Sequence, residues 1–190
     1  MQVLTKLRVQ MRRSELVVII LCFAIAVVSA QEVPDWENPK IFERNQIFVH
    51  STLMPFNNQA LALKNHRKKS PNYFSLSGTW KFKWAKNLEE APQKFFQNNF
   101  GKVDWNDIKV PSNWQMEGFG YPVIRNIGYN FKPDPPKIPK DFNPVGSYYR
   151  TFEIPEAWSG KRIFLHFEGV QSASYVWING IEIGYNQGGM

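Results

Sequence analysis

Cysteine and histidine are scarce in this sequence of 190 residues. The single cysteine, Cys22, lies inside an apolar run near the N-terminus, and the three histidines are His50, His66 and His166. No other thiol is present, so a chain that has lost its leader can form neither a disulfide nor a thiolate metal site. The histidines share no ligand motif, and we expect His166 to lie at the surface. The sequence therefore predicts no metal site in this chain.

Motifs for nucleophilic catalysis and for phosphate binding are also missing. The sequence has no G-x-S-x-G turn and no glycine-rich loop that opens a helix. Glycoside hydrolysis needs two carboxyl groups across the scissile bond, but the acidic residues at 89–90, 104 and 107 lie in polar segments predicted at the surface. Glu168 ends a predicted strand, where we expect it to hold the following turn by hydrogen bonding. The chain is therefore predicted to contain no catalytic residues.

Long apolar runs are limited to one, at residues 16–28. This uncharged stretch follows a basic start and ends in Val28-Ser29-Ala30, which is the pattern of an export signal. Because a bilayer-spanning helix needs about 20 apolar residues, we expect no stable membrane anchor. The sequence predicts a signal peptide over residues 1–30, cleaved near Ala30, and hence a secreted or periplasmic protein.

The net charge is only moderately positive. The formal charge is +7 at pH 7, and removing the leader's four basic residues and one acidic residue leaves about +4. The cluster "LKNHRKKS" (63–70) is short, and we interpret it as a solvated surface segment. No basic stripe extends from it, so a nucleic-acid partner is not expected.

Alternation of apolar and polar residues predicts strands from residue 73 onward. In "LSGTWKFKW" (76–84) every second residue from Trp80 to Trp84 is apolar, which predicts one buried face. Gly78 fits a bulge in this strand. "DIKVPSNW" predicts a short strand that ends at Pro111, and residues 88–96 predict a short helix that contains Pro92.

Further strands are predicted in the second half of the chain. "SYYRTFEI" (147–154) and "KRIFLHFEGV" (161–170) both alternate, the latter burying Ile163, Leu165 and Phe167. Two more strands flank Asn179-Gly180, a dipeptide typical of a type I′ hairpin turn. Residues 132–144 contain five prolines and predict an extended connection. The chain is therefore predicted to be all-β, an antiparallel β-sandwich.

The stretch "PSNWQMEGFGYPVIRNIGYNF" (111–131) follows neither the helix nor the strand period. Aromatic rings pack on the apolar face of a sugar, and amides both donate and accept hydrogen bonds, so this composition suits carbohydrate binding. The alternative is a loop that buries its aromatics on the sheet, and for most of them we expect burial. The aromatics are Trp114, Phe119, Tyr121, Tyr129 and Phe131, and the amides are Asn113, Gln115, Asn126 and Asn130.

Five segments in a fixed order resemble a known family. They are "DWENP" (35–39), "LSGTWKFKW" (76–84), "VPSNWQMEGFGYPVIRN" (110–126), "NPVGSYYRTFEIPEAW" (143–158) and "FEGVQSASYVWINGIEIGYNQG" (167–188). Together they closely resemble the start of β-galactosidases of glycoside hydrolase family 2. The resemblance implies an extended N-terminal arm over residues 31–72 and a sugar-binding jelly-roll β-sandwich over residues 73–190, incomplete at its C-terminus.

The same resemblance implies roles for two positions. In the family, an asparagine in a "P-[IV]-x-x-N" loop hydrogen-bonds the galactose, and Asn126 corresponds to it. The resemblance also implies an aspartate that contacts sugar and a cation at the position of Gly188, and glycine has no carboxylate for that contact. The arm commonly takes part in subunit contacts, which suggests homo-oligomerisation through residues 35–65.

The resemblance also implies what this chain lacks. In the family, immunoglobulin-like domains and a (β/α)₈ barrel follow, and the barrel carries both catalytic glutamates and most ligands for Mg²⁺ and Na⁺. The expected function is the N-terminal sugar-binding region of a β-galactosidase that hydrolyses terminal non-reducing β-D-galactosides, inactive alone and without a cofactor of its own. Two alternatives stay open: a free-standing carbohydrate-binding module, and a structural or complementing subunit of a β-galactosidase complex.

Overall fold

A computed structural model describes residues 33–48, 50–51, 53–98, 100–101, 104–122 and 128–188. From Asp35 onward the chain forms one compact unit. Strands dominate its regular structure, so the all-β prediction is confirmed. The predicted signal peptide lies outside the described residues. Across the ranges given above, no helix is long and apolar enough to cross a bilayer.

The first sheet is antiparallel and has the order β3-β2-β4. Its central strand, β2 (Gly78–Ala85), pairs on one side with β3 (Asn106–Val110) and on the other with β4 (Val145–Tyr149). β3 ends directly before Pro111, as predicted, because proline has no N–H with which to continue the ladder. The two strands predicted in this part of the chain, β2 and β3, are therefore both present.

The core of this sheet follows the predicted alternation. Phe82 of β2 and Ile108 of β3 are the largest fully buried side chains of the described chain. Gly78 pairs in register with Val110. The predicted bulge at Gly78 is therefore wrong, since this glycine opens the strand without adding an unpaired residue.

The second sheet has the order β1-β6-β5. The strands β5 (Ala173–Ile178) and β6 (Ile181–Gln187) form an antiparallel hairpin, and β1 (Glu43–Arg44) pairs with β6. Asn179 and Gly180 form the turn with φ of 51° and 85°. The predicted hairpin is confirmed, because a type I′ turn requires positive φ at both central residues.

Residues 161–170 do not form the predicted strand. The segment is irregular, and Ile163, Leu165 and Phe167 are 36–48 % exposed instead of buried. A strand depends on ladder hydrogen bonds to a neighbour, and no described strand lies alongside this segment. The alternation alone was therefore insufficient to produce a strand here.

Two short helical segments also differ from the prediction. Residues 88–96 form turns and bends with no helix, in keeping with Pro92 inside the segment. A helix that the sequence did not indicate, α1 (Gln59–Lys64), lies in the arm. Its first turn is capped by Asn58, whose side-chain oxygen accepts a hydrogen bond from the N–H of Leu61 at 2.9 Å.

An aromatic cluster joins the two sheets. Phe95 lies 5.7 Å by ring centroids from Trp105, which precedes β3, and 5.7 Å from Trp177 of β5. Phe96 stacks on the same Trp177 ring at 4.9 Å and 9°. Residues 95 and 96 therefore connect sheet elements that do not pair by hydrogen bonds.

A polar cluster, which we call the arm clasp, ties the arm to the second sheet. Tyr175 Oη donates a hydrogen bond to Asp35 Oδ2 at 2.6 Å. Arg44 forms ion pairs with Asp35 and with Glu182, the latter at 3.0 Å. The Arg44 guanidinium also lies over the rings of Tyr175 and Tyr185, at 5.8 and 5.7 Å from their centroids. The arm is thus held by charge-assisted hydrogen bonds as well as by the β1–β6 pairing.

Loss of the Tyr175 hydroxyl is expected to lower the stability of the fold by an amount that depends on pH. Tyr175→Phe removes one hydrogen bond to Asp35 and should lower the free energy of unfolding by about 1–2 kcal/mol at pH 7. Burial, and then the hydrogen bond to Asp35, raise the pKa of Tyr175. The native phenol therefore stays protonated where the unfolded phenol, with a pKa of about 10, ionises. Stability contributed by this shift is complete below about pH 10 and is lost as pH rises further.

Urea unfolding between about pH 7 and pH 11 measures both effects. The variant should show a shallower fall of the unfolding free energy above about pH 10 than the unaltered chain. Tyr129→Phe is the matched control, since Tyr129 is 70 % exposed. Identical slopes for Tyr175→Phe and the unaltered chain would contradict the assignment.

Candidate functional site

The loop at residues 111–131 begins with a defined turn. Trp114–Glu117 forms one turn of 3₁₀ helix. The N–H of Met116 donates to the carbonyl of Asn113 at 2.9 Å, and the N–H of Phe119 donates to the carbonyl of Trp114 at 3.0 Å. These main-chain bonds fix the first third of the loop without help from its amide side chains.

Two loop aromatics are packed on the first sheet, as predicted. The rings of Trp114 and Phe119 lie 6.0 and 4.8 Å from the ring of Phe82. Trp114 also covers Gly146 of β4 so closely that a Cβ there would lie 2.5 Å from the indole. Burial of these rings therefore anchors the start of the loop to the sheet.

The other three aromatics do not follow the prediction of burial. Tyr121, Tyr129 and Phe131 are all more than half exposed. Tyr121 nevertheless stacks on Phe142 at 5.3 Å and 15°. The prediction of burial is therefore wrong for these three residues, whereas Trp114 and Phe119 pack on Phe82.

Asn126, the predicted sugar contact, lies outside the described residues. The structure describes the loop up to Pro122 and again from Gly128. The role of Asn126 stays a prediction. Among the other amides, Asn113 is exposed and makes no side-chain capping hydrogen bond, whereas Gln115 is partly buried.

A cavity of about 290 Å³ opens beside the anchored part of the loop. It lies between β2, the 3₁₀ turn, and the segment that precedes β5. None of the described lining residues carries a formal charge. The side chains that matter for its chemistry are Trp84, Trp114, Gln115, Tyr121, Gln171 and Ser172.

Trp84 is the distinctive residue of this cavity. Its Nε1 is buried and, within the described chain, has no hydrogen-bond partner. Gly120 packs against the same indole, where a Cβ would lie 3.0 Å from Nε1. The sequence pattern placed Trp84 only on the core side of β2. No local signal indicated that its ring would border a cavity, because the other walls come from distant parts of the chain.

Gly188, for which the sequence resemblance implies an aspartate in the family, is held by its main chain. Its N–H donates to the carbonyl of Ser172 at 2.7 Å. Gly188 is therefore bonded to a residue that lines the cavity. A glycine offers no side-chain oxygen to a sugar or a cation. The described residues also contain no group of three or more His, Cys, Asp or Glu side chains that could hold a metal ion.

Three of the remaining acidic candidates form ion pairs at the surface. Glu168 forms an ion pair with Arg67, whereas we predicted that it would end a strand and hold the following turn, and residues 161–170 form no strand. Glu90 pairs with Lys86, and Asp107 with Lys81, each at 2.8 Å. His50, His66 and His166 are exposed. The structure therefore does not bring these residues together into one site.

Comparison with known proteins shows which family the chain is similar to. The family model described as "Glycosyl hydrolases family 2, sugar binding domain" matches residues 73–190. A β-galactosidase of Priestia megaterium is 42% identical over 163 residues, which cover 83% of this chain and 16% of the relative. β-Galactosidases of Psychromonas ingrahamii and Alteromonas mediterranea are 36% and 34% identical over 80% and 86% of this chain, and 14% and 15% of their own length. The chain thus spans about one sixth of these relatives.

Proposed function

The chain belongs to glycosyl hydrolase family 2, and from this membership we propose that it is the N-terminal sugar-binding region of a β-galactosidase. The observation that carries the proposal is its 42% identity to a β-galactosidase over 83% of the chain. The proposed reaction of the whole enzyme is hydrolysis of terminal non-reducing β-D-galactosides. We further propose that the domain at residues 73–190 is a jelly-roll β-sandwich.

The chain alone is proposed to be inactive. Retaining hydrolysis needs a nucleophilic carboxylate and an acid/base carboxyl about 5–5.5 Å away. The acidic side chains of Asp35, Glu90, Asp107 and Glu168 are instead engaged in ion pairs with Arg or Lys. Both catalytic glutamates are therefore proposed to come from a barrel in a longer polypeptide.

The proposed contribution of this chain is to orient the sugar. An asparagine amide can donate to one sugar hydroxyl and accept from another. Trp114 and Phe119 pack on Phe82 and hold the start of the loop in place. Such anchoring lowers the entropy lost when Asn126 engages a hydroxyl. Hydrogen bonds that strengthen in the transition state then add to catalysis.

Mg²⁺ and Na⁺ are proposed to bind elsewhere in a longer enzyme. The donor set of the described chain does not fit such a site, since no group of three ligating side chains is found there and Gly188 lacks a carboxylate. We assign no step of the reaction in this chain to a metal.

The arm is proposed to take part in subunit contacts. Phe48, Leu53 and Leu63 are all at least 79 % exposed. Apolar side chains of this size on the surface are typical of contact sites when they cluster.

We also propose that the protein is secreted or periplasmic, because residues 1–30 have the pattern of an export signal.

A chimera tests the proposed function. The part of this chain that aligns with the Priestia megaterium β-galactosidase replaces the matching region of that enzyme, and hydrolysis of lactose and of a nitrophenyl β-D-galactoside is measured. The expected result is hydrolysis by the chimera and none by the same enzyme with the region deleted. A folded chimera that cleaves no β-galactoside would count against the proposal.

Two further measurements distinguish the proposed function from its alternatives. If the 190-residue chain, simply mixed with the deletion variant, restores hydrolysis, the chain acts as a complementing subunit. If calorimetry shows that the isolated chain binds galactosides while the chimera is inactive, the chain is a free-standing carbohydrate-binding module.

A further inference from the structure

We propose that the cavity beside Trp84 binds a single neutral pyranose ring, at a site that this chain forms without a barrel. The inference deepens the proposed function, and it rests on that function only for the choice of galactose as the probe. The proposed site is described by the residues that line the cavity in the structure, and the proposal makes no use of Asn126.

The described residues that line the cavity favour one class of ligand. The described side chains that line it are aromatic, amide, hydroxyl or apolar groups, and none carries a formal charge. A phosphate, a carboxylate or an amine would lose its hydration there without gaining an ionic partner, which is unfavourable. An uncharged ligand is therefore favoured.

The shape and polarity of the walls favour a sugar over an apolar molecule. Trp84, Trp114 and Tyr121 present ring surfaces that can pack on the C–H face of a pyranose. Gln115 and Gln171 offer amides that both donate and accept, as ring hydroxyls require. The volume of about 290 Å³ lies at the small end of ligand sites, and it suits one ring better than an oligosaccharide.

The buried Nε1 atom of Trp84 supplies a second, independent observation. Buried polar groups are nearly always hydrogen-bonded, and an exception calls for an explanation. The Nε1 of Trp84 lacks a partner within the described chain and lies against Gly120. A small displacement of the chain at Gly120 would open Nε1 to a ligand hydroxyl. By contrast, Nε1 of Trp80 on the same strand donates to the carbonyl of Leu76 at 2.7 Å.

The test observes the Trp84 indole directly in the 190-residue chain. Indole N–H signals are recorded by NMR during titration with methyl β-D-galactopyranoside, and the Trp84 signal is assigned by its absence in Trp84→Phe. We expect this signal to shift in a saturable way with a dissociation constant in the millimolar range, about 1–10 mM. Galacturonate, which adds a negative charge to the same ring, should cause a much smaller shift.

Matched variants locate the binding site. Gln171→Ala removes a lining amide and should weaken binding about tenfold. Gln97→Ala changes an exposed glutamine outside the cavity and should leave the affinity unchanged. If no galactoside moves the Trp84 signal, or if both glutamine variants bind equally well, the proposal is overturned.

The result of the NMR titration and the result of the chimera experiment test different proposals. No binding in the cavity together with hydrolysis by the chimera would reject the cavity site and keep the β-galactosidase assignment. Binding at Trp84 together with a folded, inactive chimera would keep the cavity site and reject that assignment.

Discussion

Phe82→Ala is expected to lower the free energy of unfolding by about 3–5 kcal/mol. Phe82 is fully buried at the centre of β2. Its ring contacts Phe119 and Tyr148, with centroids 4.8 and 4.7 Å away, and Trp114 at 6.0 Å. The substitution removes the buried ring and leaves a cavity that these fixed aromatics cannot fill, so transfer and cavity costs add.

The same substitution should also release the loop. Trp114 and Phe119 pack on the ring that is lost, so the start of the 111–131 loop would lose its attachment to the sheet. Urea unfolding followed by circular dichroism measures the stability. Phe48→Ala is the control, because Phe48 is 91 % exposed, and a change within about 0.5 kcal/mol is expected for it. Equal effects of the two substitutions would show that Phe82 is not the centre of the core.

Asn126→Ala in the catalytically active chimera is expected to lower kcat/KM about 5- to 150-fold. This corresponds to a loss of transition-state stabilisation of about 1–3 kcal/mol. The proposed amide contact is to a sugar hydroxyl, and its loss leaves that hydroxyl without a partner in a closed site. The chimera must fold and assemble as before, which sedimentation and circular dichroism can verify.

The matched control for this prediction lies in the same loop. Asn113 is exposed and makes no capping hydrogen bond through its side chain, so Asn113→Ala should leave kcat/KM within about twofold. Unchanged kinetics for Asn126→Ala would remove the residue from the site. An equal loss in both variants would point to the stability of the loop instead of a sugar contact.

Short sequence patterns correctly predicted the strands β2 and β3 and the hairpin turn, whose signals lie within the segments themselves. The alternation around Phe82 and the stop at Pro111 predicted β2 and β3 within two residues at each end. Asn179-Gly180 predicted the hairpin, because the preference for positive φ belongs to those two residues. Strand "SYYRTFEI" (147–154) was correct only in its first part, since β4 is Val145–Tyr149.

Elements that depend on distant partners were predicted poorly. Residues 161–170 have the alternation of a strand but remain irregular, because no described strand pairs with them. Similarly, the sequence did not distinguish Trp114 from Tyr129. Trp114 is partly buried because Gly146, on another strand, leaves room for its ring, whereas Tyr129 lies exposed.

The sequence by itself determined the all-β class, the family and the hairpin, because each rests on residue order and short-range periodicity. Only the tertiary structure decided which aromatics anchor the loop, that Asp35 and Arg44 clasp Tyr175, and that a cavity without charged walls among the described residues borders Trp84. Residues far apart in the chain form these features. Their contact depends on how the sheets and loops pack, and periodicity along the chain carries no information about that packing.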